Sequence, residues 1–261
     1  MADPGSGQGA GSDGRPAAGS QDRRRANVYV DGLNLYHGCL KGTEYRWLDI
    51  VAFCRKLVPA NPINRIRYFT SRVSARQDDP EASTAQDAYL RALATFDKLS
   101  IHLGKFQSTH VRLPAADPRL NDGHRTIEVI KTEEKRSDVN LATFLLMDAF
   151  REESDIAVVV SNDSDLQPPI RALIHELGVP VGLVNPHQYP CHDLLSLNPL
   201  FYKHVRPRAL GACQLPPVLR DGQGEIRRPE GWLSAGHKQR PRHQGRGLRP
   251  SPEADGGVQS K

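Results

Sequence analysis

The chain has 261 residues, a formal net charge of +5 and 38% hydrophobic residues, a length that allows one or two domains. No apolar run approaches the 18 residues of a membrane-spanning helix, and the first residues lack the apolar stretch of a secretory leader. Cys39, Cys54, Cys191 and Cys213 are far apart with no CxxC pair, so neither a disulfide framework nor a cysteine-based zinc site is expected; the reduced cytoplasm is the expected compartment.

Composition divides the chain into three parts. Residues 1–26 hold six glycines and two prolines, and too little apolar surface to offset chain entropy. They are expected to be a disordered N-terminal segment. Residues 206–261 hold nine glycines and seven prolines and carry the excess of positive charge. They are expected to be a basic, Pro/Gly-rich disordered tail. Residues 27–205 remain, a length that suits one compact domain with a single core.

The elements of that domain follow in order. Residues 27–31, NVYVD, make a short strand that ends in an acid, and GLNLYHG then begins a helix. Leu48, Val51, Ala52 and Cys54 lie near helical spacing in 47–57, and Pro59 and Pro62 stop that helix. INRIRYFT, 63–70, alternates as a strand. A helix is predicted from Pro80 to Leu99, with Ala85, Ala88, Tyr89, Ala92, Leu93 and Phe96 as its apolar stripe. Residues 100–107 and 125–131 read as strands around an exposed loop at 114–124. The segment 138–150 is a strong helix with Leu141, Phe144, Leu145 and Ala149 inward. IAVVV, 156–160, is apolar on both faces, as in a covered parallel sheet. Pro168 and Pro169 open a helix that Gly178 ends, and VPVGLV follows as a strand. Strands alternating with helices predict right-handed crossovers and a three-layer α/β/α sandwich with a mainly parallel sheet.

In such sheets ligands bind at the carboxyl ends of the strands. Asp31, followed by Asn34, stands at one strand end, and Ser161, Asn162, Asp163 and Asp165 stand at another. Asp138 opens the helix at 138, preceded by Glu133 and Glu134. Each has a local alternative: a turn for Asp31 and Asn34, an N-cap for Asp138, and a turn and cap for Asp163 and Asp165. Glu133 and Glu134 also read as solvated charges at a helix start. These local readings leave unexplained why so many acids share one sheet edge. Gathered carboxylates need a cation or shared protons. Oxygen ligands without histidine or cysteine suit Mg²⁺ or Mn²⁺, which activate water and stabilise a leaving oxygen in phosphodiester cleavage.

VYVDGLNLY, TEEKRSDVNLATFLLMDA and VVVSNDSDLQPPIRALIHELGVPVGLVNP, in this order, resemble NYN domains of the LabA/DUF88 type, within the PIN-like nuclease superfamily. The resemblance spans about residues 27–205. It implies a PIN-like fold and a Mg²⁺- or Mn²⁺-dependent ribonuclease site. The family's acids fall on Asp31, Asp138, Asp163 and Asp165, and its motif asparagine on Asn34. Asn162 stands where the family often has glycine. Asp31, Asp138 and Asp163 are therefore expected to ligate metal, with Asp165 as a further ligand directly or through water. Asn34 is expected to orient Asp31 or a metal-bound water.

The alternative function is a catalytically silent RNA-binding or adaptor module on the same fold. A haloacid-dehalogenase phosphohydrolase needs a second acid where Leu33 stands, and there is no P-loop or GxGxxG. His187, Cys191 and His192 lack further paired ligands for a zinc site. RNA, in single-stranded form, is the expected partner. Lys135, Arg136 and Arg171 are its expected phosphate contacts, with Arg65, Arg67 and Arg72 as further candidates against ordinary solvated faces.

Overall fold

The structure is a computed structural model that describes residues 24–73, 80–117 and 125–232. Six parallel strands form the central sheet, in the order β3-β2-β1-β6-β7-β8. These are β1 (Ala26–Asp31), β2 (Ile63–Thr70), β3 (Leu99–Leu103), β6 (Ile156–Val160), β7 (Val181–Asn185) and β8 (Phe201–His204). The first three strands build outward from β1 and the last three build outward from β6 on its other side. The order therefore reverses between β1 and β6, the place where open α/β sheets bind ligands.

Alternate side chains of the strands feed two cores. Val28, Val30, Ile66, Tyr68, Val158 and Val160 enter one core. Helices α2 (Ile50–Leu57) and α3 (Ala82–Leu93) cover it with Phe53, Leu57, Leu90 and Leu93. Tyr29, Phe69, Ala157 and Val159 enter the other. Helices α4 (Ser137–Phe150) and α5 (Gln167–Arg171), with its π-turn continuation Ala172–Glu176, cover that face with Leu141, Leu145, Ile170 and Leu173. The three-layer α/β/α sandwich expected from the alternation is the architecture found.

Within the second core lies an ion pair. The Arg67 guanidinium donates to both carboxylate oxygens of Asp148, at 2.6 and 2.7 Å, and the Tyr29 hydroxyl donates to the same carboxylate at 2.9 Å. Asp148 is fully buried. The Phe144 ring lies 4.4 Å from the guanidinium carbon, and His102, its pKa lowered to about 4 by burial and then by Arg67, is 3.4 Å from it as a neutral ring. Arg67 is thus a structural residue, which corrects its candidacy as a phosphate contact.

Two further expectations are corrected. The strand expected at 100–107 is two strands that part at Gly104. Its N–H bonds the Thr70 carbonyl, and the chain then leaves the sheet as β4 (Lys105–Pro114). β4 pairs antiparallel with β5 (Thr126–Lys135) in an outlying, largely exposed ribbon. A Cβ at Gly104 would meet Glu134 Oε1 at 2.1 Å, so a larger residue at this corner would displace that carboxylate. Secondly, the tail is folded up to residue 232. After α6 (His192–Leu195) and β8 within the expected domain, the tail forms α7 (Pro207–Gly211) and a hairpin of β9 (Val218–Asp221) and β10 (Gly224–Arg227). Leu210, Cys213, Leu215 and Ile226 join the first core. Trp232 stacks edge-on against Trp47 and Tyr89, and the Trp47 indole N–H donates to the Pro216 carbonyl. High Gly/Pro content concealed this because the apolar anchors are few and widely spaced, held by turns rather than by long elements. Residues 1–23 and 233–261, and most of the loop expected at 114–124, lie outside the described residues.

Candidate active site

Asp31 ends β1 and caps the helix α1 (Gly32–Leu35) that follows it. One of its carboxylate oxygens accepts the Asn34 backbone N–H at 2.9 Å; the other accepts the Ser161 hydroxyl at 2.9 Å. Strand β6 ends at Val160, so Ser161 stands beside Asp31 across the switch point. The Ser161 oxygen in turn accepts the Asp163 N–H at 3.2 Å. Asp163 caps a single 3₁₀ turn by accepting the Asp165 N–H at 3.0 Å. Asp138 lies in the first turn of α4, where a helix N-terminus favours negative charge.

These three chain segments bring Asp31, Asp138 and Asp163 together, with one carboxylate oxygen from each lying within 4.8 Å of the others. Asp31 is only 4% exposed. Burial is the main cause that pushes its pKa up to about 6, against the two hydrogen bonds that hold it down; the charges of Asp138 and Asp163 push it further. Asp138 is also raised to about 6, first by burial and then by Asp163, Glu134 and Asp165. Acids so placed hold protons or a cation. The donor set is carboxylate only, with hydroxyl and amide groups around it, and it fits a hard divalent ion such as Mg²⁺ or Mn²⁺.

The other expected site residues fall as follows. Asp165 is exposed and stands outside the group of three, although its charge reaches Asp138. Asn34 directs its side-chain oxygen to the Asn162 N–H at 2.9 Å, so the side chain ties α1 to the loop after β6, and it is the Asn34 backbone that holds Asp31. Asn162 carries this tie onward to the Tyr189 carbonyl and the Cys191 N–H. Lys135 is paired with Glu133 at 3.1 Å on the ribbon. Arg136 is exposed, with a left-handed backbone (φ 86°) just before α4. Arg171 is exposed at the end of α5. Arg65 pairs with Glu153 at 3.0 Å, and Arg72 with Asp87.

Two residues named at the sheet edge have roles that the sequence reading did not assign. Glu134 accepts the hydroxyls of Ser71 and Ser137 at 2.6 and 2.8 Å and the Ser137 N–H at 3.3 Å. It thereby fixes the start of α4, one residue before Asp138. The Glu-x-x-Ser spacing at the helix start was the signal for this capping role, in place of the solvated charge expected. Ser161 bridges Asp31 and Asp163; its place between a strand end and two acids was the corresponding hint.

Comparison with known proteins bears on this geometry. The chain is 31% identical over 237 residues, 80% of its length and 75% of the relative's, to 6-hydroxy-3-succinoylpyridine 3-monooxygenase HspA of Pseudomonas putida (strain DSM 28022 / S16). A crystal structure of a protein of unknown function from Vibrio parahaemolyticus RIMD 2210633 superposes with a TM-score of 0.48 at 13% identity, covering 72% of this chain and 97% of that one. The family model of the NYN domain matches residues 25–194, the stretch that carries all three clustered acids. The chain belongs to the NYN domain family, a PIN-like domain of the nuclease type.

Proposed function

We propose that the protein is a metal-dependent ribonuclease that cleaves phosphodiester bonds of single-stranded RNA in the cytoplasm. The observation that carries this reading is the meeting of Asp31, Asp138 and Asp163 within 4.8 Å at the sheet's switch point, in a family of nuclease type. Those three carboxylates would hold Mg²⁺ or Mn²⁺, and exposed Asp165 would reach the ion through water. Such an ion, when bound, lowers the pKa of a water and neutralises charge on the phosphate. The chain's own residues do the rest. Ser161 and the Asn34 N–H orient the Asp31 carboxylate. Asn34 and Asn162 hold the β6 loop in place. Arg136 and Arg171, with Lys135 once it exchanges Glu133 for phosphate, offer positive charge near the acids.

The test is purified protein with labelled single-stranded RNA in Mn²⁺, in Mg²⁺ and in chelator. Cleavage is expected with metal only. Asp31→Asn and Asp163→Asn keep shape and remove charge, and are expected to lower the rate by about 10²-fold or more, beyond the cost of losing a group that merely supports a ligand. Cleavage in chelator, or cleavage retained by both variants, would refute the mechanism. Tight RNA binding with no cleavage under any metal would make the protein a silent RNA-binding or adaptor module.

The relative named as a 6-hydroxy-3-succinoylpyridine 3-monooxygenase favours a second reading, oxygenation of a substituted pyridine. Oxygen insertion draws on a redox cofactor and a reductant. Oxygen uptake with a hydroxypyridine and reduced nicotinamide or flavin, together with indifference to RNA, would select that reading.

A further inference from the structure

Around the end of β1 from the acids, a cleft of about 560 Å³ opens on the side of the sheet covered by α2 and α3. It begins at Gly32, the residue after Asp31. Tyr36, Phe106 and Trp232 contribute aromatic walls, and Lys41 and Arg46 stand among its lining residues. The volume lies within the ordinary range for small-ligand sites.

Two lining residues have hydroxyls that the fold does not use. Tyr68 and Thr70 alternate along β2 and so face the same side. They are only 5% and 3% exposed, yet among the described residues neither hydroxyl has a hydrogen-bond partner. Neither oxygen is fully enclosed, so both hydroxyls stay open to water, or to a ligand, in the cleft. Gly32 makes room for the tyrosine: a Cβ there would meet the Tyr68 ring and hydroxyl at 2.6 and 2.7 Å. The tyrosine therefore reaches the strand end beside Asp31, where burial and then the Asp31 charge push its phenol pKa up and keep it a neutral donor.

We propose that this cleft seats one nucleobase of the RNA, next to the phosphate presented to the acids. Aromatic walls stack any base. The Tyr68 and Thr70 hydroxyls both donate and accept, and so suit the polar edge of a base. Exposed Lys41 is placed for the neighbouring phosphate. The inference rests on the ribonuclease reading of the acids, because a small pocket beside a hydrolytic site gives cleavage a base preference.

The test is titration of full-length protein, in chelator, with each nucleoside 5′-monophosphate, by calorimetry. At least one is expected to bind with a dissociation constant of about 1 mM or tighter. Tyr68→Phe is expected to weaken that binding about tenfold, which is roughly 1.4 kcal/mol; Lys41→Ala is expected to weaken it in a salt-dependent way. Neither change touches a bond within the fold. Asp31→Asn is expected to leave the binding in place. In RNA cleavage Tyr68→Phe is expected to raise KM for the favoured base with little change in kcat. No binding of any monophosphate, or binding indifferent to both Tyr68→Phe and Thr70→Val, would overturn the pocket. Tyr68-dependent binding in a protein that cleaves no RNA would sustain the pocket and sink the ribonuclease reading alone.

Discussion

Replacing Asp148 with leucine probes the ion pair that joins α4 to the sheet. The carboxylate accepts two bonds from Arg67, at 2.6 and 2.7 Å, and one from Tyr29 at 2.9 Å. Asp148 is 0% exposed and the Arg67 side chain 6% exposed. Removal of the acid leaves a guanidinium buried without its counter-charge, which costs about 3–5 kcal/mol. It also strands the Tyr29 hydroxyl, which costs about 1 kcal/mol or more. A loss of roughly 5 kcal/mol approaches the whole stability of an ordinary domain. Changing all three partners at once, Tyr29→Phe, Arg67→Met and Asp148→Leu, removes every polar group of the set. That protein is expected to recover to within about 2 kcal/mol of wild type, because no charge remains to be desolvated. Urea unfolding followed by circular dichroism, with slopes compared to exclude a changed unfolded state, measures all of these. A single Asp148→Leu cost below about 1 kcal/mol, or a triple variant no more stable than the single, would refute the reasoning.

Two other outcomes are expected. In metal-free protein, Asp31 and Asp138 titrate near 6 in the fold against 3.8 in the unfolded chain. The folded state therefore holds protons that the unfolded state has released, so stability falls as pH rises from about 4 through about 6, by up to about 3 kcal/mol for Asp31. Mg²⁺ or Mn²⁺ should restore it, with affinity rising over the same window and then levelling. Thermal scans at pH 5 and pH 8, with chelator and with metal, would show this; a metal effect that is equal at both values, or that survives Asp31→Asn, counts against it. A chain ended at residue 205 loses Leu210, Cys213, Leu215 and Ile226 from the core and is expected to unfold at a lower urea midpoint than one ended at residue 232. Equal midpoints would restore the shorter boundary.

The sheet and its acids were legible in the sequence for one reason. Both rest on short-range patterns: apolar runs bounded by turns, and acids at the ends of those runs. β1 and β6 announce Asp31 and Asp163 in this way, and the start of α4 announces Asp138. What escaped depends on pairing between distant segments. Asp148 follows Leu141 and Leu145 on one stripe of α4, so its place on an apolar face was visible. Its partner, 81 residues away, was not. Arg67 looked like a surface base because alternation along β2 does not reveal that both faces of the strand are covered. The tail from 207 to 232 was misread for a related reason. Composition measures how many residues favour regular structure, whereas a few anchors such as Trp232 suffice to hold a looping segment down.

The position of Trp232 has an evolutionary consequence. The NYN match ends at residue 194, so the three acids lie within the shared domain while one wall of the cleft beside them is supplied from outside it. One wall of the cleft is thus written on a different stretch of chain from the acids, although Tyr68 and Thr70 share the acids' domain. A substitution in the segment after 207 can reshape the cleft without moving a carboxylate. The acids can therefore stay constant while the segment that supplies this wall drifts. Exchanging the 207–232 segment between such proteins alters that wall of the cleft and leaves every clustered acid in place.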